Sequence, residues 1–234
     1  MAEFGETTYH NLDSMLRYVI GDQTGRYQAS TQEGPVNIFP THKFKVPVNK
    51  AFALASGIAK PTDVIESDLL IDFNPNRQYM IKNELAIYAI ISTTQFKRPI
   101  CFTSTQELKD LGLDQYVRQT GMTYQLVPVK GASVDTDAAY KNIMTKFDFK
   151  NASKSNVYFD EENRRHLGGI RSAYAELAID LSAKNRKEEA KAVLNKVDKM
   201  MHESNFGYGL TSRGNLHNRN SLLFLEACYL AGDQ

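Results

Sequence analysis

Apolar side chains recur along this chain with two different periods, and the change from one to the other divides it. Leu12, Met15, Leu16 and Val19 stand at helical spacing with Gly21 as a stop, which predicts a first short helix. From Asp22 to Pro61 glycines and prolines interrupt every pattern. Only the brief alternation of Phe44-Lys-Val and a helix-length run from Asn49 to Ser56 emerge there. Val64 to Phe73 closes in an apolar cluster suited to a strand, and Asn74-Pro-Asn supplies a turn. The crowded run that begins at Tyr79 is too long for a strand, so Arg77 to Thr94 reads as a helix covered on both sides. Pro99 to Thr103 and Tyr124 to Val129 read as strands, with a short helix from Leu111 to Gln119 between them and Gly121 as its stop. Strands separated by helices predict parallel pairing through right-handed crossovers, hence a small parallel-sheet α/β layer.

Farther on the period is helical throughout. Ala139, Ile143, Met144 and Phe147 form one stripe, and the polar stretch Asp148 to Asn156 reads as a linker. Beyond it Ile170, Tyr174, Leu177 and Leu181 form a second stripe, and Ala190, Val193, Leu194 and Val197 a third. Asn185-Arg-Lys-Glu188 between them has the form of a capping box. This predicts a helical hairpin, and its Tyr174, Leu177-Ala178, Leu181 and Ala190 overlay the tetratricopeptide pattern. A second partial match lies in Phe224 to Asp233, where Gly232 takes the place of Asn185. The expected class is therefore α/β plus all-α: an α/β domain over residues 1–150, then tetratricopeptide-like hairpins over residues 151–234.

Composition adds little to this picture. With 42% hydrophobic residues among 234 and a formal net charge of +1, the chain is globular, and nothing in its charge points to nucleic acid. The opening Met-Ala-Glu-Phe-Gly-Glu lacks the apolar core of a secretory signal, and no apolar run approaches the roughly 20 residues of a membrane span. Cys101 and Cys228 stand among apolar neighbours and are expected as free core thiols, a disulfide being the alternative. His10, His42, His166, His202 and His217 show no ligand spacing, so neither a metal nor a cofactor is expected. The acidic residues Asp63, Glu66, Asp68, Asp72 and Asp160 to Glu162 read as solvated faces or helix-start charges, and Arg164-Arg-His166 as a solvated face. Gly168-Gly169 reads as a close helix approach or a helix boundary rather than a dinucleotide loop.

Three blocks carry more information together than singly. Asn76 to Phe102 with its Lys-Arg-Pro-Ile-Cys-Phe, the Leu-Val-Pro-Val strand ending at Val129, and Phe159-Asp-Glu-Glu-Asn-Arg164 occur in that order. Asn37 to Val48 precedes them. The chain thereby resembles the C-terminal soluble region of the domain-of-unknown-function family numbered 2723, bacterial membrane proteins similar to protein O-mannosyltransferases. The resemblance implies a periplasmic or extracytoplasmic location and an accessory domain beside a membrane part that holds the glycosyl-transfer residues. No catalytic residue is carried over. The expected partners are a protein or peptide segment, a glycan acceptor and the membrane part itself.

Helical phase offers Arg171, Glu176 and Asp180 as groove residues of a binding module. The alternative is an enzyme whose site, at the C-terminal ends of the strands, gathers Thr103, Ser104, Asp72 and Lys130. A third reading is a structural spacer packed on the membrane part, for which an exposed apolar patch would speak.

Overall fold

The computed structural model describes residues 7–21, 27–32, 34–77, 80–105, 107–210 and 212–232. Tyr79 of the central run, Gln106 beside the strand-end site and Asp233 lie outside them. The chain forms two compact units, one of residues 1–118 with 124–133, the other of residues 119–123 with 134–234. The class is α/β plus all-α, with a helical C-terminal region.

In the first unit β1 (His10–Asn11) leads into α1 (Leu12–Ile20). Asn11 caps that helix by accepting from the Ser14 N–H at 3.1 Å. The four residues of its expected stripe are all buried. The strands β2 (Gln28–Thr31) and β3 (Gly34–Asn37) form an antiparallel pair in the stretch that glycine and proline had made unreadable. Strand β4 (Lys43–Pro47) and α2 (Lys50–Ala55), capped by Asn49, follow, then β5 (Asp68–Asp72), α3 (Lys82–Thr94) and β6 (Cys101–Phe102). A single 3₁₀ turn at Asp114–Tyr116 precedes β7 (Val117–Gln119) and β8 (Tyr124–Leu126).

The expected parallel sheet is not what forms. Two three-stranded sheets replace it, ordered β1-β4-β5 and β6-β8-β7, and both β4–β5 and β6–β8 are antiparallel. The physical reason is β4, whose alternation is strict enough to take β5 as partner. Phe44 faces Ile71 and Val46 faces Leu69 with all four buried, while Lys43 pairs with Asp72 on the solvent side. Helix α3 therefore links strands of different sheets and packs beside α1. It is covered on one side only: Tyr88 and Ile91 are buried, whereas Ile90 is exposed. The expected helix from Leu111 to Gln119 shrinks to the 3₁₀ turn, because Val117 begins a strand.

In the second unit Asp135 caps α4 (Thr136–Lys146), whose Ala139 and Ile143 are buried. The stretch read as a linker holds a 3₁₀ turn, Lys150–Ser153, with Ala152 buried. The Ala152 carbonyl accepts from His202 N at 2.8 Å and from Asn205 Nδ2 at 2.9 Å. It is thus stitched into the helical unit, as is α4. Asp160 caps α5 (Glu161–Ala183), which turns into α6 (Lys187–Met200); α7 (Glu203–Phe206) and α8 (Leu216–Ala231) follow. Asn185 does not cap α6. It closes α5 at φ +62° while Asn185 N–H donates to Ser182 O and Arg186 N–H to Leu181 O, the two bonds of a Schellman ending. Gly232 ends α8 in the same left-handed conformation, at φ +69°. Helices α6 and α8 both pack on α5, around Tyr174, Leu177, Ala178, Leu181, Leu194 and Ala227.

Candidate binding cleft

Helix α5 meets α8 where Gly168 leaves room. A Cβ there would stand 2.9 Å from Asn220 Nδ2 and 3.4 Å from Phe206 Cζ, so the glycine permits the close approach. Gly169 faces open space and has no such role. One turn on, Arg171 is only 2% exposed. Its guanidinium carbon lies 4.3 Å from the Phe206 ring centre and 4.2 Å from that of Tyr208, and Nη2 donates to Phe206 O at 2.7 Å. Nη1 has no partner. Burial pushes the guanidinium below its ordinary pKa, opposed by Tyr208 and Asp198, and an arginine nonetheless stays charged. Tyr208 in turn donates to Asp198 at 3.1 Å. Arg171 therefore fastens the 206–208 loop onto α5 from within, rather than facing a groove.

That loop walls a cleft of about 670 Å³, within the roughly 300–1,000 Å³ typical of ligand sites. Glu161, Arg164 and Arg165 contribute from α5, Phe206, Leu210 and Ser212 from α7 and the loop after it, and Leu216, His217 and Asn220 from α8. Arg165 is held by Glu162, so these two neutralise each other. Arg164 makes no ion pair among the described residues, and its Nε is buried without an acceptor. His217 is buried, its ring edge-on to Phe206 with centres 4.9 Å apart, and its backbone N–H donates to Ser212 Oγ at 2.7 Å.

The other groove candidates are placed differently. Asp180 accepts from Thr136 Oγ1 at 2.5 Å and from Lys184 at 3.0 Å, which ties α4 to α5, and Glu176 is half-buried. Thr103 and Ser104 are exposed just after β6. Asp72 belongs to the other sheet, where Tyr9 and Lys43 donate to it. Antiparallel pairing removes the common rim of strand ends on which that candidate site depended. Cys101 and Cys228 form no disulfide; Cys228 is half-buried, but Cys101 is exposed, because its two-residue strand presents it outward. Among the described residues no group of His, Cys, Asp and Glu is placed to hold a metal ion. Likewise no helix is long and apolar enough to cross a membrane. The cleft residues Leu210 and Ser212 escaped the sequence reading, since they come from an irregular loop, and Asn220 escaped it because the start of α8 carries no apolar stripe. Arg164 was visible, but consecutive charges gave no sign that one of them would be half-buried.

Fold and cleft together define a mixed α/β and all-α domain whose helical unit carries a ligand-sized recess walled by an aromatic-anchored loop, with a second recess of about 480 Å³ beside Leu194, Tyr208 and Leu225. The chain belongs to the family described as TMEM260-associated domain 2, whose model matches residues 2–151. That membership associates it with a glycosyltransferase-like membrane protein. The cleft lies beyond the matched residues. No curated protein and no solved structure matches the chain.

Proposed function

We infer that this chain is an extracytoplasmic accessory domain of a membrane glycosyltransferase of the O-mannosyltransferase kind, related to the family numbered 2723. Its helical unit holds an acceptor polypeptide near the membrane part, where the transfer chemistry resides. The observation that carries this reading is the cleft between α5 and α8, whose polar Arg164, Ser212 and Asn220 stand around aliphatic Leu210 and Leu216. Such a mixed lining suits the backbone and side chains of an extended segment. The family membership supports the glycosyltransferase setting. The paired left-handed endings at Asn185 and Gly232 support a tetratricopeptide-like arrangement of the helices. Calorimetry with unstructured twelve-residue peptides and with mannose oligosaccharides tests it. Binding of peptide to the full chain, weakened by filling the cleft from its exposed wall with Leu216→Trp, is the expected result. Retention of neither class of probe contradicts it.

A second reading, a spacer packed on the membrane part, has one observation in its favour. Leu222 and Leu225 are each 64% exposed and Tyr229 83%, forming an apolar stripe along the outward face of α8. If the stripe serves that purpose, Leu222→Gln with Leu225→Gln will release the domain from the membrane protein without changing peptide affinity.

A further inference from the structure

We propose that the cleft recognises a carboxylate on its peptide, flanked by an aliphatic residue, and that Arg164 is the group that takes it; this rests on the cleft being the binding site. The arginine side chain has five donors and no acceptor; the Nε–H of Arg164 is enclosed without a partner, while its two Nη groups make no ion pair among the described residues. The Nη protons form a planar end-on fork that fits the two oxygens of a carboxylate.

Of the two arginines that line the cleft, Arg164 is the one without an ion pair among the described residues, Asp160 acting on it only electrostatically. Arg165 is engaged with Glu162, and Arg171 is enclosed by Phe206 and Tyr208. Glu161, exposed at the mouth, suits backbone N–H groups of the bound segment, while the Asn220 amide can both donate and accept. Leu210 and Leu216 offer aliphatic surface for the flanking residue.

A peptide fits this lining better than a sugar. Sugar sites ordinarily present an open aromatic face, but Phe206 is buried, with His217 edge-on to it and Arg171 over its ring. The carboxylate can come from an aspartate or glutamate side chain or from a peptide C-terminus.

Fluorescence anisotropy of the full chain with labelled decapeptides built around Leu-Asp-Leu and amidated at the C-terminus tests the proposal. The Asn counterpart with an amidated end should bind at least about tenfold more weakly, since a charge-assisted pair is lost. The Asn counterpart with Leu as a free C-terminal residue shows whether a terminal carboxylate substitutes. Arg164→Gln should bring the Asp peptide down to the level of its Asn counterpart, Arg164→Lys should recover part of the loss, and Arg165→Gln should leave affinity within about twofold. Equal binding of Asp and Asn peptides by the unaltered chain, a comparison that needs no variant to fold, overturns the proposal while leaving the accessory reading intact. Unchanged affinity in Arg164→Gln does the same. Failure of every peptide, or binding of mannose oligosaccharides in their place, overturns both.

Discussion

Replacing Arg171 separates a buried fastener from a groove residue, because the two roles predict different energies for the same pair of substitutions. Its guanidinium is buried, lies over Phe206 and Tyr208 and donates to Phe206 O. Any uncharged replacement strands that carbonyl, at about 1–3 kcal/mol. It also loses the ring contacts, worth about 1–2 kcal/mol in a desolvated setting. Against this, removing a buried charge with one unpartnered nitrogen returns several kcal/mol of desolvation. For Arg171→Met, which keeps the volume, these terms nearly cancel and the net change is about 1 kcal/mol or less. Arg171→Ala adds a cavity between α5 and α8, which brings the loss to about 3–5 kcal/mol. Urea unfolding followed by far-UV circular dichroism, which chiefly reports the helices, measures both. Two variants each within about 0.5 kcal/mol of the parent, as expected of a solvated surface position, would refute the buried placement.

The carboxyl of Asp63 forms a bidentate pair with Arg118, both side chains being largely buried. Burial alone would raise its pKa; the hydrogen bonds from Arg118 and Lys60 N–H outweigh that and hold it below the usual carboxylate value. The pair's contribution is therefore complete above the unfolded-state value of about 3.9 and is lost as the pH falls from there towards the folded-state value. Asp63→Asn should cost about 3–5 kcal/mol at neutral pH and flatten the acid limb of a stability-versus-pH curve; an unaltered limb would contradict this. Gly112→Ala would drive a Cβ to 2.3 Å from Asp72 O at φ +63°, so it should destabilise by more than about 2 kcal/mol or prevent folding, as thermal melts will show. Gly169→Ala, facing open space within α5, should instead stabilise by about 0.5–1 kcal/mol, and a loss of stability in the same melts would count against its placement.

Helices with one apolar stripe were legible because burial on a single face imposes its period directly. The residues buried in α1 and α6 are those the spacing selects, α4 buries Ala139 and Ile143 of its stripe, and α5 follows its stripe from Tyr174 onward. Pairing was not legible. Whether β5 meets a parallel or an antiparallel partner depended on β4, five residues whose alternation, though strict, is too short to stand out among the flanking prolines. Asn185-Arg-Lys-Glu188 showed that a cap motif and a left-handed stop share residue types: an asparagine can start one helix or end another, and Leu181 and Ser182 upstream decided it by offering their carbonyls. The cleft was hidden for a different reason. Its loop residues carry no period, and the burial of Arg171 and the enclosure of the Arg164 Nε are set by tertiary packing, which only the fold provides.

Mapping where a peptide binds tests the central claim most directly. Addition of the amidated Leu-Asp-Leu decapeptide to isotopically labelled full-length chain should shift backbone amide resonances of residues 161–168 and 206–220, together with the Nε–H of Arg164. Shifts centred instead on Thr103, Ser104 and the end of β5, or no saturable shift at all, would contradict it.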